Sequence, residues 1–264
     1  MTPILLIGAG RMAGAMIQGW RRKGAFQASD LMIRSRSLGE QAQAAVAEGA
    51  IAQPADSDLA KASTVVFATK PQTWREVAAL YAPLLAPDAV IVSVIAGVKP
   101  AQLREAFGRP SAWTVPTTGV ATGAGVCSIV ADSDEARARA HALFDPIATT
   151  ADIDDVELMH AVTGVSGSAP AYLYAFTEAL EAAGHAAGLP LKTAQRLARA
   201  TMASAGQLMI ESGEDPGELR RNVTSPNGVT LEALKVLMDQ QSGLPPLLDR
   251  AMQAAIARSR EIGG

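Results

Sequence analysis

A glycine-rich segment near the amino terminus has the residue types that bind a dinucleotide. Gly8-Ala9-Gly10-Arg11-Met12-Ala13 fits the pattern G-x-G-x-x-[G/A], follows a predicted strand and opens a predicted helix. Gly8 allows a tight turn, Gly10 lets backbone N–H groups approach a diphosphate, and small Ala13 allows close helix packing. The positive end of the helix dipole then faces the phosphates. The residues predicted to bind the cofactor here are Gly8, Gly10, Arg11, Met12 and Ala13.

The end of the second predicted strand carries two arginines and no carboxylate. Arg34, Ser35 and Arg36 stand where an NAD-binding protein usually places Asp or Glu for the ribose 2′-hydroxyl. Guanidinium and hydroxyl groups suit a 2′-phosphate, because they form charge-assisted hydrogen bonds with it. The segment therefore favours NADPH over NADH, and arginines that are simply solvated are the alternative interpretation.

Two further strand ends are expected to face the cofactor, because ligands of open α/β sheets bind at the carboxyl ends of the strands. Thr69, Lys70 and Pro71 follow the third predicted strand, and Ala96 and Gly97 follow the fourth. The small residues Ala96 and Gly97 would let the backbone approach the nicotinamide ribose. The alternative interpretation is that Ala96 and Gly97 form an ordinary turn that has no part in cofactor binding.

A second candidate site lies in the turn Ser225-Pro226-Asn227-Gly228, which leads into a helix predicted to begin near Val229. The N–H groups around Gly228, Val229 and Thr230 are expected to be unpaired, since the first N–H groups of a helix have no partner within it. Such a helix start binds a carboxylate. A purely structural cap has the same appearance in a sequence.

The elements that position these segments divide the chain into two regions. Short apolar runs alternate with helical patterns in roughly the first 150 residues, which is typical of βαβ units and a parallel sheet. After Ile153 the sequence becomes rich in Ala, Leu, Met and Glu, with long helical periods. We therefore expect an α/β fold, with a Rossmann-like doubly wound parallel sheet in residues 1–153 and an all-helical region in residues 154–264.

Five or six strands and five helices are predicted in the first region. The candidate strands are Ile4–Gly8, Leu31–Arg34, Thr64–Ala68, Ala89–Val94, Ser111–Val115 and Ser128–Ala131. The helices are Arg11–Lys23, Leu38–Glu48, Trp74–Tyr81, Pro100–Phe107 and Asp134–Phe144. In the second region, glycine and proline stops leave helices near 154–186, 190–212, 229–240 and 245–262.

Several helices of the second region are apolar on more than one face, as in residues 169–180. A region of about 110 residues cannot bury that much apolar surface by itself. We infer that the helical region forms a homodimer or a larger homo-oligomer, and a tightly packed monomer is the alternative.

The composition argues against several classes of function. The 264 residues carry 23 basic and 26 acidic side chains, so the net charge of −3 would not attract nucleic acid. No apolar run reaches the roughly 20 residues of a membrane helix, and the amino terminus lacks the pattern of a signal peptide, so we expect a cytoplasmic protein.

His141, His160 and His185 lie far apart, so no metal site is expected. The single Cys127 is expected to be buried and unreactive.

The chain resembles the pyrroline-5-carboxylate reductase family over nearly its whole length. Residues 225–230 are similar to that family's signature, Ser-Pro-Gly-Gly-x-Thr, and residues 165–172, 69–72 and 96–98 resemble further stretches of it. The resemblance implies a dinucleotide domain joined to a helical dimerisation domain. It also implies that NAD(P)H reduces 1-pyrroline-5-carboxylate, a small imine carboxylate, to L-proline.

The resemblance further implies roles for the second site. In the family, the residues that match Ser225, Asn227, Gly228, Val229 and Thr230 hold the substrate carboxylate, and the threonine that matches Thr230 contacts the ring nitrogen. Much of the acceleration can come from holding the nicotinamide and imine rings in contact. Because a hydroxyl is a weak acid, Thr230 is expected to orient the substrate and donate a hydrogen bond.

The chain departs from the family pattern in three places, at Arg11, within Val115–Gly119, where the family usually has Met-Pro-Asn-Thr-Pro, and in the signature. Arg11 stands where Asn is usual, and it could reach the diphosphate or lie in solvent. Thr117, within Val115–Gly119, replaces an Asn close to the cofactor and remains a candidate cofactor residue. Asn227 and Val229 alter the signature. These changes leave a reductase of another cyclic imine or ketimine carboxylate as an alternative.

Two more distant alternatives are a β-hydroxyacid dehydrogenase and a protein that only senses NADP. A β-hydroxyacid dehydrogenase uses a lysine acid on a long helix, but no lysine follows Gly167-Ser168 before Lys192. A protein that only senses NADP would bind the cofactor and would not oxidise NADPH in the presence of the imine.

Overall fold

An eight-stranded sheet forms the centre of the amino-terminal region. The computed structural model describes residues 1–263. The strands are β1 Ile4–Ile7, β2 Leu31–Arg34, β3 Ile51–Ala52, β4 Thr64–Phe67, β5 Val90–Ser93, β6 Ser111–Pro116, β7 Gly125–Ala131 and β8 Ala148–Asp152. Their spatial order is β3-β2-β1-β4-β5-β6-β7-β8. The chain runs outward from β1 in both directions, which confirms the predicted Rossmann-like α/β class.

Twelve α-helices accompany the sheet in the described residues. The first six are α1 Arg11–Lys23, α2 Glu40–Ala47, α3 Asp56–Leu59, α4 Trp74–Tyr81, α5 Pro100–Phe107 and α6 Asp134–Phe144. The other six are α7 Met159–Val162, α8 Ala169–Ala186, α9 Leu191–Ser212, α10 Pro216–Asn222, α11 Val229–Leu237 and α12 Leu244–Gly263. The predicted bounds of α1, α4, α5 and α6 agree with the structure at both ends.

The two faces of the sheet are buried in two separate apolar cores. Along β1, Ile4 and Leu6 belong to one core, whereas Leu5 and Ile7 belong to the other. All four side chains are buried, as expected for a strand covered on both faces. The two cores hold the carboxyl ends of the central strands in fixed positions, and these ends carry the predicted cofactor residues.

The far side of the sheet differs from the prediction in two ways. β7 runs antiparallel to β6, because the residues between Pro116 and Gly125 are too few for a helical crossover. β8, at the edge of the sheet, was not predicted. Its sequence Ala-Thr-Thr-Ala-Asp is mostly exposed and has no large apolar side chain, so it lacks the usual strand pattern. The two-residue β3 at the opposite edge was also missed.

The predicted helix over 154–186 is wrong, because the chain is interrupted before α8. A π-helical turn at Thr163–Gly167 separates α7 from α8. The hydroxyls of Thr163 and Ser166 donate to the carbonyls of Met159 and Val162, at 2.8 and 3.0 Å. Such side-chain bonds to the preceding turn bend helices.

α10 was not predicted, although its start has a recognisable signal. Asp215 caps the helix by accepting a hydrogen bond from the N–H of Gly217 at 2.8 Å, and Pro216 occupies the first helical position. Gly213-Glu214-Asp215-Pro216 is one of the glycine and proline stops that end a predicted helix, and the same residues also start α10.

The chain forms two compact units. The first contains Met1–Gly167 together with the C-terminal residues from Ala255, and the second is Ser168–Ala254. Within the first unit, His160 is buried and its Nδ1 lies 3.0 Å from the hydroxyl of Ser259 in the last turns of α12. The predicted domain division at 153/154 stays a prediction. Within residues 1–263, no helix combines the length and apolar character that crossing a bilayer requires.

His141 ties the edge strand β8 to α6 and makes the stability of this edge depend on pH. Its Nδ1 lies 3.0 Å from Asp145 and its Nε2 3.2 Å from Asp152. The hydrogen bond with Asp145 is the largest cause that raises the pKa of His141. A raised folded-state pKa stabilises the protein fully below the unfolded value of about 6.5, and this contribution is lost as the pH rises through the folded pKa.

We therefore expect His141→Gln to lower the free energy of unfolding more at about pH 5.5 than at about pH 9. Urea unfolding of both proteins at the two pH values measures this difference. A loss of stability that is equal at both values would show that the charge of His141 has no part in it.

Candidate functional site

A tight turn joins the end of β1 to α1 and requires glycine at its first position. Gly8 has a φ of +99°, which side-chain-bearing residues rarely adopt. A Cβ on Gly8 would lie 2.5 Å from the carbonyl oxygen of Ala68. The N–H of Gly8 donates to the carbonyl of Arg34 at 2.9 Å. The turn is therefore packed between the carboxyl ends of β2 and β4.

Gly10, two residues later, faces open space. It precedes α1 with an ordinary extended conformation, and a Cβ placed on it would meet no protein atom within 4 Å. The helix start has no side-chain cap and no acidic residue in its first turn. Its free N–H groups and dipole can therefore bind an anion that approaches closely at Gly10. Ala13 is buried against the sheet, and Met12 is half-buried.

The two arginines at the end of β2 have different surroundings. Arg34 donates to the carbonyl of Pro54 and, at 2.6 Å, to the carboxylate of Asp56. Its guanidinium also lies 6.0 Å from the ring centre of Tyr81, and the hydrogen bond with Tyr81 is the largest cause that raises its pKa. Arg34 thus has protein partners.

Arg36, in contrast, is exposed, and no acidic group within residues 1–263 forms an ion pair with it. Between the two arginines, the hydroxyl of Ser35 accepts a hydrogen bond from the N–H of Ala9 at 3.1 Å. This bond fixes the end of β2 to the glycine turn. Arg36 is the arginine whose charge is free for a ligand.

The end of β4 holds an unpaired polar atom. The hydroxyl oxygen of Thr69 is buried and has no hydrogen-bond partner in the described part of the chain. Lys70 is exposed, and Pro71 opens a short 3₁₀ turn. A buried hydroxyl without a partner is costly, so it is frequently found where a ligand completes the structure. Sequence reasoning selected Thr69 by its position and gave no sign that its hydroxyl is unpaired.

The turn after β5 also needs glycine. Gly97 is buried with a φ of +78°, whereas Ala96 before it is exposed. The hydroxyl of Ser93 accepts from the N–H of Ile95 at 3.2 Å and fixes the start of this turn. Ala96 and Gly97 thus form a tight turn in which the small side chain of Ala96 is exposed at the end of β5.

Thr117 has a structural partner. Its side chain is buried, and its hydroxyl oxygen accepts a hydrogen bond from the N–H of Val126 at 3.0 Å. The N–H of Thr117 donates to the carbonyl of Val126 at 2.8 Å. These bonds close the connection between β6 and β7, so the residue has a role in the fold that does not depend on a cofactor.

The second candidate site, in the helical unit, is a turn that leads into α11. The N–H of Gly228 donates to the carbonyl of Ser225 at 3.0 Å, and Asn227 has a φ of +57°, which Asn tolerates better than most residues. The prediction that the N–H of Gly228 is unpaired is therefore wrong, because the turn itself uses this group. α11 begins at Val229, as predicted.

The first turn of α11 has donors without partners. No acceptor for the N–H groups of Val229 and Thr230 lies within residues 1–263, and Gly228 provides no side-chain cap. Val229 itself is 89% exposed. Thr230 is half-buried, and its hydroxyl has no partner among the same residues. This arrangement can bind a carboxylate and place a hydroxyl beside it.

The described residues contain no group of three His, Cys, Asp or Glu side chains that could hold a metal ion. Cys127 is buried, and burial raises the pKa of its thiol, which keeps the thiol protonated and poorly nucleophilic. The polar groups present at the two candidate sites are backbone N–H groups and hydroxyls, with the two arginines at the end of β2 in the first site.

Two family models match this chain. Residues 156–262 match the model described as pyrroline-5-carboxylate reductase dimerisation. Residues 3–97 match the model described as NADP oxidoreductase, coenzyme F420-dependent. Each match covers one of the two regions in which a candidate site was found.

Individual proteins resemble the chain over its whole length. Pyrroline-5-carboxylate reductase of Pseudomonas aeruginosa is 36% identical over 99% of this chain and 97% of its own. The structure of a pyrroline-5-carboxylate reductase from Coxiella burnetii has a TM-score of 0.89 at 25% identity, covering 100% of this chain and 99% of that one. A Plasmodium falciparum pyrroline carboxylate reductase, solved with NADP bound, shares the fold at 22% identity with a TM-score of 0.86, covering 100% and 98%.

Proposed function

Because the chain belongs to the pyrroline-5-carboxylate reductase family, we propose that it reduces 1-pyrroline-5-carboxylate to L-proline with NADPH as the preferred cofactor. The observation that carries the proposal is that each unit has an uncapped helix start with free N–H groups. α1 has the space beside Gly10 that a diphosphate needs, and α11 has the free donors of Val229 and Thr230 for a carboxylate. The protein is an oxidoreductase.

The residues present fit NADPH. The glycine turn would hold the diphosphate, and Ser35 and Arg36 would hold the 2′-phosphate, with Arg34 fixing the segment behind them. The unpaired hydroxyl of Thr69 and the turn at Ala96 and Gly97 lie at neighbouring strand ends. In this assignment residues 1–153 bind the cofactor, and residues 154–264 serve dimerisation and bind the substrate. The further proposed cofactor residues are Gly8, Arg11, Met12, Ala13, Lys70, Pro71 and Thr117.

When bound, NADPH supplies a hydride from C4 of its nicotinamide to the imine carbon. The N–H groups of Val229 and Thr230 would hold the substrate carboxylate, with Ser225, Asn227 and Gly228 shaping the turn. The hydroxyl of Thr230 would donate a hydrogen bond to the ring nitrogen or hold a proton near it. A threonine hydroxyl is a weak acid, so its part is orientation.

Thr230→Ala is expected to lower kcat/KM for the imine by about tenfold, since one hydrogen bond contributes about 1–1.5 kcal/mol. Thr230→Ser keeps the hydroxyl and should retain most of the activity. Steady-state kinetics of the two variants measures the difference. Equal losses in both variants would assign the effect to the methyl group, and unchanged constants would remove Thr230 from the site.

A substrate panel tests which imine is reduced. NADPH oxidation with pyrroline-5-carboxylate is compared with that of its six-membered-ring homologue and of an imine without a carboxylate. We expect the five-membered carboxylate to be preferred and the imine without a carboxylate to react poorly. A preference for the six-membered ring would instead support a reductase of another cyclic imine carboxylate, which the changes at Thr117, Asn227 and Val229 leave as the alternative.

The second unit carries the dimerisation part of the family, and we propose a homodimer or a larger homo-oligomer built through it. α8 contains no fully buried residue within one chain, and Leu173, Tyr174 and Leu180 on it are exposed. Ile210 on α9 is 85% exposed. Apolar side chains in this number are usually covered in an assembly. A cytoplasmic location, as inferred from the sequence, is part of the same proposal.

A further inference from the structure

A carboxylate lies beside the end of β2, although the residues of that strand end include no acid. Asp56 is the first residue of α3, and its Oδ1 accepts a hydrogen bond from Nη2 of Arg34 at 2.6 Å. The segment Arg34-Ser35-Arg36 favoured NADPH partly because it lacks the Asp or Glu of NAD-binding proteins. The fold thus brings an acidic group from another element to the same strand end.

The segment that carries Asp56 is bound to the end of β2 through several contacts. The side-chain amide of Gln53 donates to the carbonyl of Ser35, and the carbonyl of Pro54 accepts from Arg34. Gln53 has a φ of +49°, in the left-handed region that residues with side chains seldom adopt. Such a conformation persists only where the surrounding contacts hold it. These contacts keep Asp56 at this strand end.

The ion pair changes the electrostatic field at the proposed site for the 2′-phosphate. Arg34 and Asp56 together carry no net charge, so Arg36 is the remaining positive charge of the strand end. The Asp56 side chain is 61% exposed, and that of Arg34 is 25% exposed. A phosphate bound beside Arg36 would be attracted by the guanidinium of Arg34 and repelled by the carboxylate of Asp56. The pair therefore attracts a phosphate less than an unpaired arginine would.

We propose that Asp56 determines cofactor specificity, because its carboxylate offsets the charge of Arg34, weakens binding of the 2′-phosphate and so lowers the preference for NADPH over NADH. The inference rests on the proposed use of NADPH. Asp56 acts on the ligand through its charge and needs no contact with it. NADH has a hydroxyl in place of the 2′-phosphate, so its affinity depends little on Asp56.

Titration of the full-length protein with NADPH, NADH and adenosine 2′-monophosphate tests this role. Asp56→Asn keeps an oxygen that can accept from Arg34 and removes the charge. We expect the Kd values for NADPH and adenosine 2′-monophosphate to fall about three- to fivefold at low salt, and that for NADH to change less than about twofold. The gain should shrink at about 0.5 M salt, because exposed charges are screened. Asp56→Glu keeps the charge and should keep the wild-type ratio of the NADPH and NADH values.

Asp58→Asn is the matched control, since it removes the same charge from the same helix. Asp58 pairs with Lys61 at 2.6 Å and not with Arg34, so this variant should leave the ratio unchanged. An unchanged or lowered preference for NADPH in Asp56→Asn would overturn the proposal, as would an equal shift in Asp58→Asn or a shift that is insensitive to salt. If Asp56→Asn reduced the imine with an unchanged ratio, only the role of Asp56 would fail. A wild-type protein that oxidised neither cofactor with the imine would instead contradict the proposed function.

Discussion

Gly10→Ala is expected to fold like the wild type and to bind NADPH about 30- to 150-fold more weakly. The alanine suits the extended conformation before α1, and its Cβ would meet no protein atom within 4 Å. The methyl group would occupy the space that the diphosphate needs, and forcing atoms into a packed contact costs about 2–3 kcal/mol. Isothermal titration with NADPH, together with the Tm of the free protein, measures both effects.

Two other glycines of the same segment serve as controls. Gly14→Ala, one turn further along α1, places a Cβ in ordinary contact 3.8 Å from Gln41, and it should retain cofactor affinity and raise stability slightly. Gly8→Ala should destabilise the protein itself, because of the collision with Ala68 and the strained φ. If Gly10→Ala bound NADPH as tightly as Gly14→Ala does, the diphosphate could not lie at this helix start.

Arg36→Ala is expected to weaken NADPH binding by about 10- to 100-fold and to change NADH binding little. Arg36 has no ion-pair partner within residues 1–263, so its charge is available to the 2′-phosphate. A hydrogen bond to a charged group contributes about 1.5–3 kcal/mol. The ratio of the Kd values for NADPH and NADH, measured by titration on one protein preparation, reports this contribution.

Arg34→Ala should give a different result, although both arginines were predicted to bind the same phosphate. Arg34 donates to the carbonyl of Pro54 and the carboxylate of Asp56. Its loss removes the bonds that fix the end of β2, next to the proposed site for the 2′-phosphate. We expect a lower Tm and a loss of affinity for both cofactors. Equal loss of NADPH and NADH in Arg36→Ala would contradict the assignment of the 2′-phosphate to Arg36.

Local sequence patterns predicted most of the first unit. α1, α4, α5 and α6 were predicted with the observed bounds, since proline, glycine and apolar periodicity mark their ends. β8 and the antiparallel direction of β7 could not be predicted in the same way. The strand β8 is exposed and weakly apolar, and the direction of β7 depends on pairing with β6. The break before α8 depends on hydroxyls that bond to the preceding turn.

The candidate site was predictable where its chemistry depends on backbone conformation. The glycine turn and the start of α11 follow from local residue types. In the structure, α1 begins directly after Gly10 and α11 directly after Gly228. Contacts between distant residues were not predictable. Nothing in the sequence associates Arg34 with Asp56 and Tyr81, or Thr117 with Val126. Whether Thr69 is paired likewise depends on how neighbouring strands pack around it.

Transfer of a labelled hydride tests the central claim most directly. The protein is incubated with pyrroline-5-carboxylate and NADPH that carries deuterium at C4 of the nicotinamide, and the product is analysed by mass spectrometry and NMR. We predict one equivalent of L-proline for each NADPH consumed, with a single deuterium on C5, the former imine carbon, when the transferred position is labelled. Proline without deuterium on C5, or no oxidation of NADPH in the presence of the imine, would contradict the account.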